Sequence, residues 1–193
     1  IGTNKIHLYE YMIARSKGQD VKIEDFEKYE FPDIHEEAMK IFERYSVIML
    51  EYYRQNVKAM PGAEDTFRWC HENGIKVATD TGFHRNVNNA IIEGLNWLEK
   101  GLIDLSVDVE SIGGKGRPAP YMIFYAMQKL NIQSVHEVIK VGDTPADLLS
   151  GYNAGCAANV GVLSGANTYE ILSKYPHTKI IDSITGITDL IKQ

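Results

Sequence analysis

The sequence predicts an α/β fold, a parallel sheet with helices on both faces, preceded by a small all-helical unit. From residue 59 to 193, short apolar runs rich in β-branched residues alternate with helical patterns, which is typical of a parallel sheet. Residues 1–58 show helical periodicity and no strand pattern. The character changes at Met60-Pro61-Gly62, so we predict two domains, 1–58 and 59–193.

The helical unit is predicted to contain two main helices. The first covers residues 5–15 and ends before Gly18. The second opens at Phe31-Pro32-Asp33, with Asp33 as its cap and Glu36 completing a capping box. Its apolar residues step by three or four along one seam suited to a small antiparallel bundle. The seam consists of Ile34, Ala38, Ile41, Tyr45, Ile48 and Tyr52.

The α/β part is predicted to begin with a helix over 62–73, which Asn73-Gly74 ends. A strand at 75–78 then runs into Thr79-Asp80-Thr81-Gly82. The later elements alternate: helix 84–98, strand 105–109, helix 120–130, strand 138–141, a helix opened by Pro145, strand 157–162, helix 167–174, strand 179–182 and a final helix.

Composition narrows the classes of function. The chain has 193 residues and a net charge of −6 without a basic cluster, which argues against a nucleic-acid partner. No apolar run approaches the roughly 20 residues of a membrane span, so we expect no membrane partner. Cys70 and Cys156 are too few for a disulfide framework and indicate free thiols in a reducing cytoplasm. Because the chain starts at Ile1 rather than at Met, we expect a leading segment to be absent from it.

The most informative stretch is Val138–Asp147. Its apolar run reads as a buried parallel strand, so Asp143 is expected at the carboxyl end of the strand and Asp147 at the start of the next helix. Ligands of open α/β sheets bind at this edge. Two carboxylates there suit Mg²⁺, which is usually held by one or two carboxylates and by substrate phosphate oxygens. The alternative is that Asp143 merely caps the helix that Pro145 opens.

Two other strand ends carry groups suited to a phosphoryl group. The Thr81 hydroxyl and the Gly82 amide, next to a helix start, can form a phosphate cradle, although Thr-Gly alone is commonly a turn. Arg117 lies in a proline-stiffened loop, and its planar fork binds phosphate oxygens well, although an isolated loop arginine is often a surface residue. The ordered set of three strand ends is more specific than any single member.

This ordered set resembles the haloacid dehalogenase superfamily across essentially the whole chain. Thr81 matches its second motif, Arg117 its third, and Asp143 with Asp147 its fourth. The resemblance implies a Rossmann-like core with a helical cap domain at residues 1–58. It also implies Mg²⁺ as cofactor, and hydrolysis through an aspartyl-phosphate.

The first motif of the superfamily, which carries the nucleophilic aspartate, does not occur in this sequence. Asp80-Thr81-Gly82 resembles the aspartic-protease triplet, but that fold is all-β and this neighbourhood is βα. The superfamily places the missing motif on a strand between the strands at 75–81 and 138–143. We therefore predict that these two strands do not pair with each other. We also predict that an upstream segment supplies a strand ending in aspartate followed by Gly-Thr.

The third motif indicates a branch of the superfamily. Arg117 stands where lysine is usual, within Gly-Arg-Pro-Ala-Pro, which is similar to the phosphonatase branch. Gly2-Thr3-Asn4-Lys5-Ile6 resembles the cap segment whose lysine forms a Schiff base with the substrate aldehyde. The branch carries a histidine three residues after that lysine, where this chain has Leu8, and His7 is adjacent.

The resemblance to this branch implies cleavage of the C–P bond of a 2-oxoalkylphosphonate such as phosphonoacetaldehyde. It also implies a homodimer formed through the caps, although internal packing explains the seam at 34–52 equally well. Two alternatives stay open. One is a phosphatase of the same fold that acts on small phosphate monoesters, with Lys5 in a structural role. The other is a non-catalytic binding module.

Overall fold

The computed structural model describes residues 5–22 and 30–192. The helices are α1 (Lys5–Ser16), α2 (His35–Asn56), α3 (Ala63–Glu72), α4 (Arg85–Leu95), α5 (Tyr121–Leu130), α6 (Pro145–Ala154), α7 (Tyr169–Leu172) and α8 (Ile187–Ile191). The strands are β1 (Ala78–Asp80), β2 (Leu105–Val107), β3 (Ile139–Gly142), β4 (Ala158–Val162) and β5 (Lys179–Ile181). Every strand pairing among the described residues is parallel, which confirms the predicted α/β class. None of the described helices is long and apolar enough to cross a membrane.

The start of α2 differs from the prediction. Residues Pro32–Ile34 form a 3-10 turn, and α2 begins at His35 without a side-chain cap, so the capping box of Asp33 and Glu36 is wrong. The buried side chain of Ile34 explains the change, because it holds this turn against the core of the helical unit. That core consists of Ile13, Ala14, Val21, Phe31, Ile34 and Ala38.

The predicted seam of α2 is buried in its first part only. Ala38 is fully buried, whereas Ile48 and Tyr52 are 55% and 54% exposed. The reason is the difference in length, since α1 has 12 residues and cannot cover the 22 residues of α2. The predicted seam is therefore not buried along its whole length. The domain boundary predicted after residue 58 falls in the segment between α2 and α3, and it stays a prediction.

Local signals placed the ends of several elements correctly. α3 ends at Glu72, and Asn73-Gly74 stops it as predicted, with Gly74 at a φ of 74°. β1 starts at Ala78 rather than at residue 75. Its start is set by Asp104, whose carboxylate accepts a hydrogen bond from the Val77 amide at 2.8 Å and takes the place of a strand partner.

The strands form two parallel sheets, with a break between β1 and β3. One sheet contains β1 and β2, and the other has the order β3-β4-β5. Within the described residues β1 and β3 do not pair, which confirms the prediction for these two strands. A cavity of about 810 Å³ is lined by both strands, at 77–80 and 138–143. The carboxyl ends of β1 and β3 therefore lie on the two sides of one cavity.

Candidate functional site

Thr81 and Gly82 follow β1 directly and lie at the edge of the sheet. The Thr81 amide donates to the Val107 carbonyl at 2.9 Å, which extends the pairing of β1 with β2. The Thr81 hydroxyl oxygen accepts a hydrogen bond from the Phe83 amide at 3.2 Å. The hydroxyl keeps its own proton as a donor. Thr81 therefore lies in a tight turn with a hydroxyl that can still donate to an anion, and the phosphate cradle stays a prediction.

The helical unit packs against the loop that carries this cradle. The ring of Phe42 lies 4.5 Å from the ring of His84, and the ring of Tyr53 lies 5.6 Å from that of Phe83. His84 is held from the other side, because its Nδ1 lies 2.8 Å from Glu110 Oε1. Aromatic side chains of α2 thus cover the residues that immediately follow Thr81-Gly82.

Arg117 reaches the same sheet edge from the loop before α5. Its side chain is only 12% exposed, its Nη1 donates to Asp147 Oδ1, and its Nε lies 3.5 Å from Asp80 Oδ1. Burial alone would lower the pKa of Arg117, but the carboxylates of Asp147 and Asp80 outweigh it and raise that pKa. The guanidinium therefore stays charged although it is largely excluded from water. A desolvated, charged guanidinium binds a phosphoryl group most strongly.

Lys140 is part of the site, and the sequence analysis assigned it no role. It lies in β3, is 8% exposed, and its Nζ lies 2.8 Å from Asp80 Oδ2 and 2.9 Å from Asp147 Oδ1. Burial opposes its charge, but Asp80 and Asp147 raise its pKa overall. The sequence contains one indication that Lys140 is paired, because a lysine within an apolar strand is rarely buried without a partner.

Asp147 is the second carboxylate of the predicted Mg²⁺ pair, which we expected to lie farther from the metal than Asp143, and its metal role stays a prediction. Oδ1 accepts from Arg117 and Lys140, and Oδ2 accepts from the Thr144 hydroxyl at 2.5 Å within a capping box of α6. Burial would raise the pKa of Asp147, but Lys140 and Arg117 hold it well below its ordinary value. Both of its oxygens are thus committed to the protein's own donors. Gly142 allows this approach, because a Cβ there would lie 2.3 Å from the Asp147 Cβ.

Asp143 lies at the carboxyl end of β3, as predicted. It does not cap α6, since the N-cap is Thr144, so the alternative of a mere helix cap is wrong. Asp143 Oδ2 accepts from the Ala166 amide at 2.7 Å. This approach requires glycine at position 165, where a Cβ would lie 2.1 Å from that oxygen.

The contacts of Asp143 can be compared with the ligands that a Mg²⁺ ion needs. The described residues contain no group of three or more His, Cys, Asp or Glu side chains that could hold a metal ion. No protein hydrogen bond to Asp143 Oδ1 occurs among the described residues, so this hard oxygen is open to a ligand. Because Mg²⁺ needs only one or two carboxylates when phosphate oxygens and water complete its shell, Asp143 fits as one ligand.

Lys5 is the first residue of α1, but its side chain lies outside the described part of the structure, as do residues Gly2, Thr3 and Asn4. His7 lies two residues further, and its Nδ1 is 2.7 Å from Glu10 Oε2. The other oxygen of Glu10 lies 2.5 Å from His35 Nδ1, so this carboxylate joins α1 to the start of α2. His7 thus contributes to the packing of the helical unit.

The comparisons with known proteins agree with the geometry. A family model described as haloacid dehalogenase-like hydrolase matches residues 5–155. A phosphonoacetaldehyde hydrolase of Parabacteroides distasonis is 38% identical over 109 residues, which cover 56% of this chain and 40% of that protein. A phosphonoacetaldehyde hydrolase of Bacteroides fragilis is 30% identical over 141 residues, which cover 73% of this chain and 51% of that protein.

The fold is similar to that of a solved structure. The phosphonoacetaldehyde hydrolase-like protein from Oleispira antarctica matches with a TM-score of 0.76 and 21% identity, covering 100% of this chain and 76% of that chain. An identity of 21% shows the fold alone. The chain spans about half the length of the curated relatives that it matches.

Proposed function

This chain belongs to the haloacid dehalogenase-like hydrolase family, and we propose that it acts as a phosphonatase. The reaction would be hydrolysis of the C–P bond of a 2-oxoalkylphosphonate such as phosphonoacetaldehyde. The observation that carries the proposal is the buried Arg117, fixed beside Asp80 and Asp147 at the sheet edge that also carries Thr81-Gly82. The phosphonoacetaldehyde hydrolases among the relatives support the choice of substrate class.

The chain's own residues would bind and orient the phosphoryl group. Thr81 would donate a hydrogen bond from its hydroxyl, Gly82 would donate one from its backbone amide, and Arg117 would supply a fork of donors. Phosphoryl transfer depends mostly on alignment and on stabilisation of charge on the equatorial oxygens. These three residues serve both purposes without taking part in a covalent step.

Asp143 would hold Mg²⁺, which supplies positive charge to the phosphoryl oxygens when it is bound. Asp143→Ala is expected to abolish most of the Mg²⁺ affinity measured by calorimetry without substrate, because it removes the open carboxylate of the site. Asp182→Ala, a change in the carboxylate that follows β5, is the matched control. Unchanged Mg²⁺ affinity in Asp143→Ala would show that the metal lies elsewhere.

We propose that a strand from outside these 193 residues fills the space between β1 and β3. The two strands belong to separate sheets, and both border a cavity of about 810 Å³ whose lining is largely apolar. A strand there would satisfy the free backbone edges of β1 and β3. If it ended in aspartate followed by Gly-Thr, its carboxylate could attack phosphorus and form an aspartyl-phosphate that water then hydrolyses.

Lys5 is proposed as the Schiff-base lysine. A C–P bond breaks only if the departing carbon can carry negative charge, and a protonated imine beta to phosphorus is the electron sink that allows this. A lysine forms the imine through its neutral amine, so it needs a lowered pKa in a cleft. The position of Lys5 at the start of α1, in the unit that covers the cradle, supports this role.

Borohydride trapping with phosphonoacetaldehyde on the full-length protein tests the proposal. We expect a stable adduct that disappears in Lys5→Arg and persists in Lys17→Arg, an exposed lysine of the same unit that pairs with Glu37. Turnover of phosphate monoesters without any trapped adduct would favour the phosphatase alternative, because the phosphate contacts proposed for Thr81, Gly82 and Arg117 would bind a phosphate ester equally well. Phosphate binding without turnover of either substrate would favour the binding module. The homodimer and the cytoplasmic location stay predictions.

A further inference from the structure

Four charged side chains of alternating sign form a closed ring at the site. Lys140 Nζ lies 2.8 Å from Asp80 Oδ2 and 2.9 Å from Asp147 Oδ1. Arg117 pairs with Asp147 through Nη1, and its Nε lies 3.5 Å from Asp80 Oδ1. Each charge therefore lies between two charges of opposite sign, and the ring is neutral as a whole.

The ring connects segments that no backbone pairing joins among the described residues. Asp80 ends β1 in one sheet and Lys140 lies within β3 in the other, so their ion pair links the two sheets at the carboxyl end of β1. None of the four side chains is more than 16% exposed. Water thus screens these contacts little, and each charge strongly affects the position of its neighbours.

One side of the ring is incomplete. Asp80 Oδ1 and Arg117 Nε are both buried and have no hydrogen-bond partner in the described part of the chain, although they face each other at 3.5 Å. Lys140, in contrast, makes direct hydrogen-bond contact with Asp147 and an ion pair with Asp80. Lys140 is therefore the cation that pairs closely with Asp80, through Oδ2, whereas Arg117 makes no hydrogen bond with Asp80 and is held by Asp147.

We propose that Lys140 is a positioning residue that leaves Arg117 available to the phosphoryl group. Without Lys140, Arg117 would be the single cation beside two buried carboxylates. It would then be drawn into bidentate contact with Asp80 and Asp147, and its donors would face the protein rather than the ligand. This inference rests on phosphoryl binding in the proposed function, but not on the identity of the phosphonate.

The test is the affinity of the full-length protein for inorganic phosphate, measured by calorimetry at fixed salt. Lys140→Met is expected to weaken binding at least tenfold, while Lys140→Arg keeps the charge and restores most of the affinity. Lys76→Met is the matched control, because Lys76 also pairs with a carboxylate near β1 but is 55% exposed. Its phosphate affinity should equal that of the unchanged protein.

A double variant separates positioning from mere stabilisation. Asp80→Asn with Lys140→Met keeps the ring neutral, so Arg117 faces only one carboxylate, and we expect phosphate affinity to return to within about threefold of the unchanged protein. It also provides a folded comparison if Lys140→Met alone does not fold. Phosphate affinity in Lys140→Met within twofold of the unchanged protein would overturn the inference, and so would a double variant that folds but stays tenfold weaker.

The outcomes also separate this inference from the proposed function. If phosphate binding responds to Lys140 as expected but phosphonoacetaldehyde is not hydrolysed, the phosphonatase proposal fails and the positioning role stands. If the unchanged protein does not bind phosphate at all, both are overturned.

Discussion

β1 is flanked by two clusters of charged side chains that differ in burial. Near its amino end, Asp104 lies 3.1 Å from Lys76 Nζ and 2.9 Å from His71 Nε2, and it accepts the Val77 amide at 2.8 Å. Lys76 is 55% exposed, so water competes for this cluster. Asp104 mainly replaces a missing strand partner, which is a structural task.

At the carboxyl end of β1, Asp80 belongs to the buried ring with Lys140, Asp147 and Arg117. A buried charge that loses its partner is costly, whereas an exposed pair contributes little. The comparison shows why the chemistry is proposed at the carboxyl end. Of these two clusters, only the ring at the carboxyl end consists entirely of side chains that are no more than 16% exposed.

The largest expected effect is that of Asp147→Asn. It leaves Arg117 and Lys140 with one carboxylate between them in a buried site, and we expect a loss of about 3–5 kcal/mol in the free energy of unfolding. Urea denaturation of the two proteins measures it. Asp104→Asn is the control at the other end of β1, and an equally large loss there would remove the distinction between the two clusters.

The next effect is on ligand affinity rather than on stability. Arg117→Lys should keep the fold but lower phosphate affinity or activity about ten- to hundredfold, because a point charge cannot replace the planar fork and a charged hydrogen bond is worth about 1.5–3 kcal/mol. Phosphate calorimetry and turnover kinetics measure this change. Kinetics equal to those of the unchanged protein would contradict the assignment of Arg117.

The pH dependence of the free energy of unfolding tests whether the ring is buried. The pKa of Asp147 is lowered on folding, so its stabilisation is present above its unfolded pKa of about 3.9 and is lost as pH falls through the folded value. The pKa of Lys140 is raised, so its stabilisation is present below about 10.5 and is lost as pH rises through the folded value. The difference in stability between the unchanged protein and Asp147→Asn should therefore stay constant from about pH 5 to 9. Urea denaturation across this range checks it, and a steep change near neutral pH would contradict the buried ring.

The smallest expected effect is that of Lys76→Met. An exposed ion pair contributes about 0–1 kcal/mol, and salt screens it further. Thermal denaturation at low and high salt should show a small difference that shrinks as salt increases. A loss of several kcal/mol would mean that the amino-end cluster is as important as the buried ring.

Local patterns in the sequence account for much of this description. Asn73-Gly74 stops α3, Thr144-Pro145 opens α6, and Asp143 follows an apolar strand, because each depends on a few neighbouring residues. The order of Thr81, Arg117 and the Asp143 motif was readable for the same reason, and it identified the family that the family model confirmed.

Tertiary structure decided what depends on distant segments meeting. A lysine within an apolar strand indicates a buried ion pair, but nothing local names its partner, and only the approach of β1 to β3 makes Asp80 and Lys140 partners. The contacts of Arg117 and Lys140 with the Asp147 carboxylate likewise depend on segments far apart in the sequence. The seam of α2 was equally ambiguous, because periodicity shows that a helix has an apolar face, while the length of the neighbouring helix decides how much of that face is covered.

By itself, the sequence determined the class of fold, the family and the strand ends that carry the site. The charge ring and the space between the two sheets were decided by tertiary structure, because burial and ion pairing are properties of residues brought together from distant parts of the chain.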